Sequence, residues 1–281
     1  MQTPSHSISM HRAPLWAISA FAVIASALAP ASGALGYTLK TLHSFCAWSN
    51  CEDGVDPVDS ILTDNAGNVL GTTIEGGKEH NGVVFRLVPD ADTGKYKEHV
   101  LHYFCKRPHC KDGVNPYGNI IADVNGNIYG TTYYKPGFSP VVFRVAPNGA
   151  FTVLYAFGDE LWGPVGLTYR GESSGMPFDG TSPLYGAAID DSGVGNGFDY
   201  QLANDGSHWN LTVIHSFVTS SQPNGVIMDA SGNLYGTTTH GGKNGGGLMY
   251  KLAHDTWKET VLHQFLRCAL APTAVIHGRA C

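Results

Sequence analysis

Four histidines occupy one position of a recurring phrase. His43, His102, His215 and His263 each stand two residues before a phenylalanine, in "LHSF", "LHYF", "IHSF" and "LHQF", and Tyr155 takes the place in "LYAF". Imidazoles gathered by a repeat can hold a metal ion or an anion. The exchange for Tyr155 fits hydrogen bonding better than ligation, so each ring is expected to bond a neighbouring strand of its own sheet. A second pattern is Gly171-Glu172-Ser173-Ser174-Gly175, which matches G-x-S-x-G. That motif exposes a nucleophilic serine only between a strand and a helix. Here it lies in a polar stretch without a helical period and reads as a protruding loop. The acids that do not recur are Glu52, Asp159, Glu160, Glu172, Asp179, Asp190 and Asp191. Two of them drawn together in a central pocket would give the acid pair that glycoside hydrolysis uses. Three further acids do recur, in "DNAGN", "DVNGN" and "DASGN", as Asp64, Asp123 and Asp229, with Gly67, Gly126 and Gly232 three places on. A calcium loop would need a third acidic position and a distal Glu, which these lack. An Asp that bonds its own downstream backbone, followed by a Gly that takes positive φ, makes a type I turn. No residue is assigned to catalysis, to a cofactor or to a metal.

The elements around these residues form a repeat. The glycines of "LGTT", "YGTT", "YGAA" and "YGTT" are Gly71, Gly130, Gly186 and Gly236, separated by 59, 56 and 50 residues. Each unit opens with a "VLHxF" segment and passes a Gly/Pro/Asn loop. A short apolar run follows, then the D-x-x-G-N phrase, and the unit closes on a segment such as "VVFRLVP" or "LMYKLAH". These segments are short, β-branched and aromatic, and bounded by turn formers, so each unit predicts four strands. The fold class expected is all-β, a β-propeller-like array of about four four-stranded repeats, with an open β-solenoid as the alternative. The units run at about 38–97, 98–150, 151–208 and 209–258, with a partial copy at 259–267, inside one domain of 34–267 and before a tail of 268–281.

The chain has 281 residues, a net charge of −6 and only 14% charged residues, without a basic block. Nucleic acid is therefore not an expected partner. Residues 1–33 carry His11, Arg12 and an apolar run from Leu15 to Ala29, the form of a signal peptide and short for a membrane span. No transmembrane segment is expected in the mature chain. "FCAWSNC" and "FCKRPHC" place Cys46/Cys51 and Cys105/Cys110 alike in two units, while the other units lack both cysteines. Loss in pairs predicts two short bridges and an oxidising compartment, secreted or periplasmic. A zinc site is the rival, but only His109 stands near either pair. Trp48, Tyr133, Tyr134 and Trp162 are aromatic candidates for a binding face.

The spaced signatures "VLHSF", "DG.NP", "GNIYGTT" and "NG.VF.L.P" together resemble the bacterial exported tandem repeat called GloVer, over about residues 38–265. The resemblance implies an exported, propeller-like repeat protein and no established reaction. Two departures stand out. The third unit replaces the Asp turn with "RGESSGMPFDGTSP" (170–183), and the chain ends in "LRCALAPTAVIHGRAC". The function expected is a non-enzymatic scaffold that binds protein or carbohydrate outside the cell. The alternative is an extracellular polysaccharide-acting enzyme with carboxylates at the propeller centre.

Overall fold

A computed structural model describes residues 39–133, 136–158, 161–190, 196–218 and 221–266. Among them stand four antiparallel sheets of four consecutive strands each. Blade 1 holds β1 (Val55–Thr63), β2 (Val69–Glu75), β3 (Val83–Pro89) and β4 (Tyr96–Tyr103). Blade 2 holds β5 (Ile121–Ala122), β6 (Ile128–Thr131), β7 (Val141–Val145) and β8 (Phe151–Ala156). Blade 3 holds β9 (Leu161–Tyr169), β10 (Leu184–Asp190), β11 (Gly197–Asn204) and β12 (Trp209–Ser216). Blade 4 holds β13 (Pro223–Met228), β14 (Leu234–Thr238), β15 (Gly245–Leu252) and β16 (Glu259–Leu266). Each sheet is complete within one stretch of chain, so the array is propeller-like and not the stacked coils of a solenoid. The phase of the repeat differs from the sequence units: "VLHxF" is the fourth strand of the preceding blade and not the first of its own. Sequence similarity marks the period but not where the chain turns into the next sheet.

The recurring phrase shapes the blades through backbone and packing. Gly67 donates its N–H to the Asp64 carbonyl at 3.0 Å, and the Asp64 carboxylate accepts from the N–H groups of Ala66 and Asn68. Asp123 and Asp229 repeat the arrangement with Gly126 and Gly232. The later glycine lies under an aromatic ring of the third strand. A Cβ on Gly71 would come within 2.5 Å of Phe85, and one on Gly130 within 2.6 Å of Phe143, so only glycine leaves the ring its seat. The second threonine after the glycine accepts an N–H near the start of the third strand: Thr73 from Val83, Thr132 from Val141 and Thr238 from Leu248.

Every fourth strand carries the same bulge. Val100 and His102 pair with the adjacent residues Phe85 and Val84, so Leu101 is the extra residue. Leu154, Ile214 and Leu262 repeat it. An inserted residue flips the pleat beyond it. Val and His, two apart, therefore leave the sheet on opposite sides, and the imidazole faces the next blade. His102 stacks on Phe151 of β8 at 3.9 Å and meets Asp112 of the loop after β4 at 3.0 Å. His215 meets Glu259 of β16 at 3.4 Å. His102 and His215 thus join neighbouring blades. They neither converge on a channel nor bond within their own sheet, as the sequence had suggested.

Both predicted bridges are present, Cys46–Cys51 and Cys105–Cys110. Each closes a loop around a buried aspartate. Asp53 accepts the N–H groups of Ala47 and Trp48, and Asp112 those of Lys106 and Arg107. The signal segment, Cys268 and Cys281 lie outside the described residues. No helix among those residues is long and apolar enough to cross a membrane.

Candidate active site

The first strands and the loops leading into them approach one another. The Asn119 amide spans to blade 3, accepting the Leu167 N–H at 3.0 Å and donating to its carbonyl at 2.8 Å. Gly225 lies against Val165 in the same zone. A pocket of about 360 Å³ opens here, lined by Asn119, Gly166, Asn224, Tyr235 and Met249 among others, with no carboxylate in its wall. Among the described residues, none of the acids outside the repeat, Glu52, Glu172 or Asp179, lines this pocket.

The carboxylates gather elsewhere. A larger cleft, about 720 Å³, spans blades 1 to 3 and is lined by Asp64, Arg86, Asp123 and Glu172 with apolar walls from Leu62, Leu101 and Ile120. Asp64 and Asp123 arrive on the β1–β2 and β5–β6 hairpin turns. Glu172 arrives on the blade 3 insertion, in a short 3-10 turn of Glu172–Ser174 that follows β9. That insertion does not protrude. Phe178 is fully buried, packs edge-on against Tyr129 at 5.1 Å, and bonds blade 2 through the Val124 N–H at 2.9 Å. A missing turn in blade 3 has become a strap across blade 2. Ser173 is exposed and lies within the one-turn 3-10 helix, with no α-helix after it, so G-E-S-S-G builds no nucleophile elbow.

The three acids differ in what they can still do. An ionised carboxylate offers about four acceptor positions. Asp123 uses four, accepting from Asn125 N–H, Asn127 N–H, Asn127 Nδ2 and Tyr129 OH. Asp64 uses three, from Ala66 N–H, Asn68 N–H and Asn68 Nδ2, and keeps one free. Against the opposing effect of burial, the Asn68 side chain and backbone, with Arg86, hold the Asp64 carboxyl below its ordinary range. Glu172 goes the other way. Burial pushes its carboxyl up, only partly offset by the Thr168 hydroxyl that it accepts. The cleft thus holds one acid whose carboxyl is lowered and one whose carboxyl is raised, the direction of difference that general acid–base chemistry uses. Arg86 Nε is buried without a hydrogen-bond partner.

Of the other sequence candidates, Asp179 caps its own turn through Ser182 and Thr181 and sits at about 2. Glu52 lies in the first disulfide loop, away from the cleft lining. Trp48 is exposed in that loop, and Tyr133 is half-buried against Tyr117 at 5.2 Å. Trp162 belongs to β9. Its side chain, that of Asp190, and Tyr134, Asp159, Glu160 and Asp191 lie outside the described residues. The aromatic candidates therefore form no shared face among those residues. Asp53, Asp112, Glu98 and Asp199 were missed. The "DG" after each cysteine pair, set against a His two residues before Phe, was the available signal for the first two.

No protein-family model and no curated protein matches the chain. Its fold is similar to a gluconolactonase from Xanthomonas campestris, at 16% identity and TM-score 0.46 over 73% of this chain and 60% of that one. It is similar to an endo-arabinase from Bacteroides thetaiotaomicron at 13% and 0.42, covering 74% and 81%. A glycosyl hydrolase from Bacteroides ovatus gives 12% and 0.40, covering 74% and 69%. The chain spans about three fifths of the gluconolactonase. These named structures are enzymes, and on that finding the expectation of a non-enzymatic scaffold is corrected. The likeness is one of fold, and no residue role passes across it.

Proposed function

We propose that the protein is a carboxylate-dependent hydrolase of an extracellular polysaccharide, with its working cleft between blades 1 and 3. The observation that carries this is the placement of Glu172, a half-buried acid outside the repeat, in a cleft where Asp64 is held ionised with one acceptor position free. Glu172 donates the proton to the departing sugar oxygen, and Asp64 takes the complementary role of base or nucleophile. Arg86 binds a polar or acidic group of the substrate. Export to the periplasm or cell exterior, and membership among GloVer-type repeat proteins, belong to the same reading. The two disulfides and the repeated signatures support them.

The test is release of reducing ends from a panel of neutral and acidic polysaccharides. Wild type cleaves at least one, and Glu172→Gln loses roughly 10²–10⁴ of kcat. A wild type inert on the whole panel, or a Glu172→Gln variant of full activity, refutes the proposal.

A further inference from the structure

At the joint ahead of blade 1, three side chains converge that the proposed reaction does not use. His43 lies in the segment 39–45, a copy of "VLHxF" that precedes β1 and rests on blade 1 through Phe45, 4.9 Å from Phe85. Its Nε2 is 3.1 Å from Glu98 Oε2 of β4 and 3.5 Å from Asp53 Oδ2 of the first disulfide loop. One ligand atom from each residue fits within a span of 4.8 Å, and among the described residues no other such group of three occurs. The Glu98 side chain is only 1% exposed, yet both its oxygens lack a hydrogen-bond partner, and so does His43 Nε2.

The other joints show that the fold does not require this. At His102 the residue equivalent to Glu98 is Phe151, whose ring stacks on the imidazole, and Asp112 alone satisfies it. At Tyr155 the equivalent is the apolar Leu211. At His215 the equivalent is Glu259, whose side chain is 30% exposed, without a loop aspartate. Only the first joint buries a second carboxylate against the first.

We propose that His43, Asp53 and Glu98 form a three-ligand site for a divalent transition-metal ion, with zinc the ion the donors fit. One imidazole nitrogen and two carboxylate oxygens suit zinc, which binds such atoms at about 2.0–2.2 Å in a tetrahedron. Ligand atoms then stand roughly 3.3–3.6 Å apart, close to the 3.1 and 3.5 Å from His43 to the two carboxylates, and a fourth position stays open to water. Calcium would require six or more oxygens. Asp53 is oriented beforehand by the Ala47 and Trp48 N–H groups, the outer support that ligating carboxylates need. The ion clips segment 39–45 onto blade 1.

Equilibrium dialysis of metal-stripped full-length protein against zinc, with metal analysis of the retained fraction, decides it. Wild type takes up one equivalent. Glu98→Gln and His43→Ala each weaken uptake by at least about 100-fold, the upper end of what losing even an outer support costs. Glu259→Gln, at the joint without a loop aspartate, leaves it unchanged. His43 precedes every strand, so its variant keeps the blades even if Glu98→Gln should not fold. Absence of saturable uptake by wild type, or undiminished uptake by His43→Ala, overturns the site. Binding is read without activity, so the result stands apart from the hydrolase proposal.

Discussion

Blades 2 and 3 share an architecture and divide its uses. Blade 2 keeps most elements of the repeat, with Tyr155 in place of the histidine on β8: the Asp123 turn, Gly130 beneath Phe143, Thr132 opening β7, and a disulfide loop around Asp112. Blade 3 keeps the strands and the bulge but replaces nearly everything else. Its turn is the strap carrying Glu172, its threonines are Ala187 and Ala188, and its third strand buries Asp199 and Tyr200 where blade 2 has Val142 and Phe143. Regular blades supply rigidity, so one blade can depart from the pattern and present side chains that a repeat would otherwise place four times over.

The comparison can be broken most severely at the third strand. Phe143→Ala removes a fully buried ring from the regular blade, and denaturant unfolding is expected to show a loss of about 3–5 kcal/mol. A loss under 1 kcal/mol would deny blade 2 its supporting role. Next comes Asp199, buried in blade 3 and held by the Tyr250 hydroxyl of blade 4 at 3.0 Å. Burial raises its carboxyl to about 7, against 3.8 for the free group. The folded state therefore holds a proton that the unfolded chain releases, and stability falls as pH rises from about 4 through about 7. The fall is at most about 4 kcal/mol. Asp199→Asn should remove that slope in unfolding measured across the window, and an unchanged slope would assign it to other groups. The smallest effect has the opposite sign. The Tyr200 hydroxyl is buried without a partner, so Tyr200→Phe, which restores the regular residue type, is expected to stabilise by about 1 kcal/mol. Destabilisation would mean that the hydroxyl is satisfied in solution.

The strands, turns and bridges were legible because each depends on neighbours in sequence. Asp64 with Gly67, or Cys105 with Cys110, states its own geometry. The phase was not legible, because a repeat looks the same wherever it is cut. The bulge was hidden as well: "VLH" reads as plain alternation, and only pairing with β3 shows Leu101 to be extra. Glu172 could be singled out as an acid outside the pattern. Its place in the cleft that Asp64 also lines depends on a strap held by Phe178, which no local signal announces. Glu98 and Asp53 stand 45 residues apart and meet only because a fourth strand packs against a preceding loop.

The offset between sequence period and blade has a consequence for how such chains change length. A unit that starts with the last strand of one sheet and ends with the third strand of the next always straddles a seam. Gaining or losing a unit therefore adds or removes a seam together with the residues that seal it, and every remaining boundary keeps its matched faces. Among the described residues, the copy of the fourth-strand phrase at 41–45 forms no strand and rests on blade 1 through Phe45.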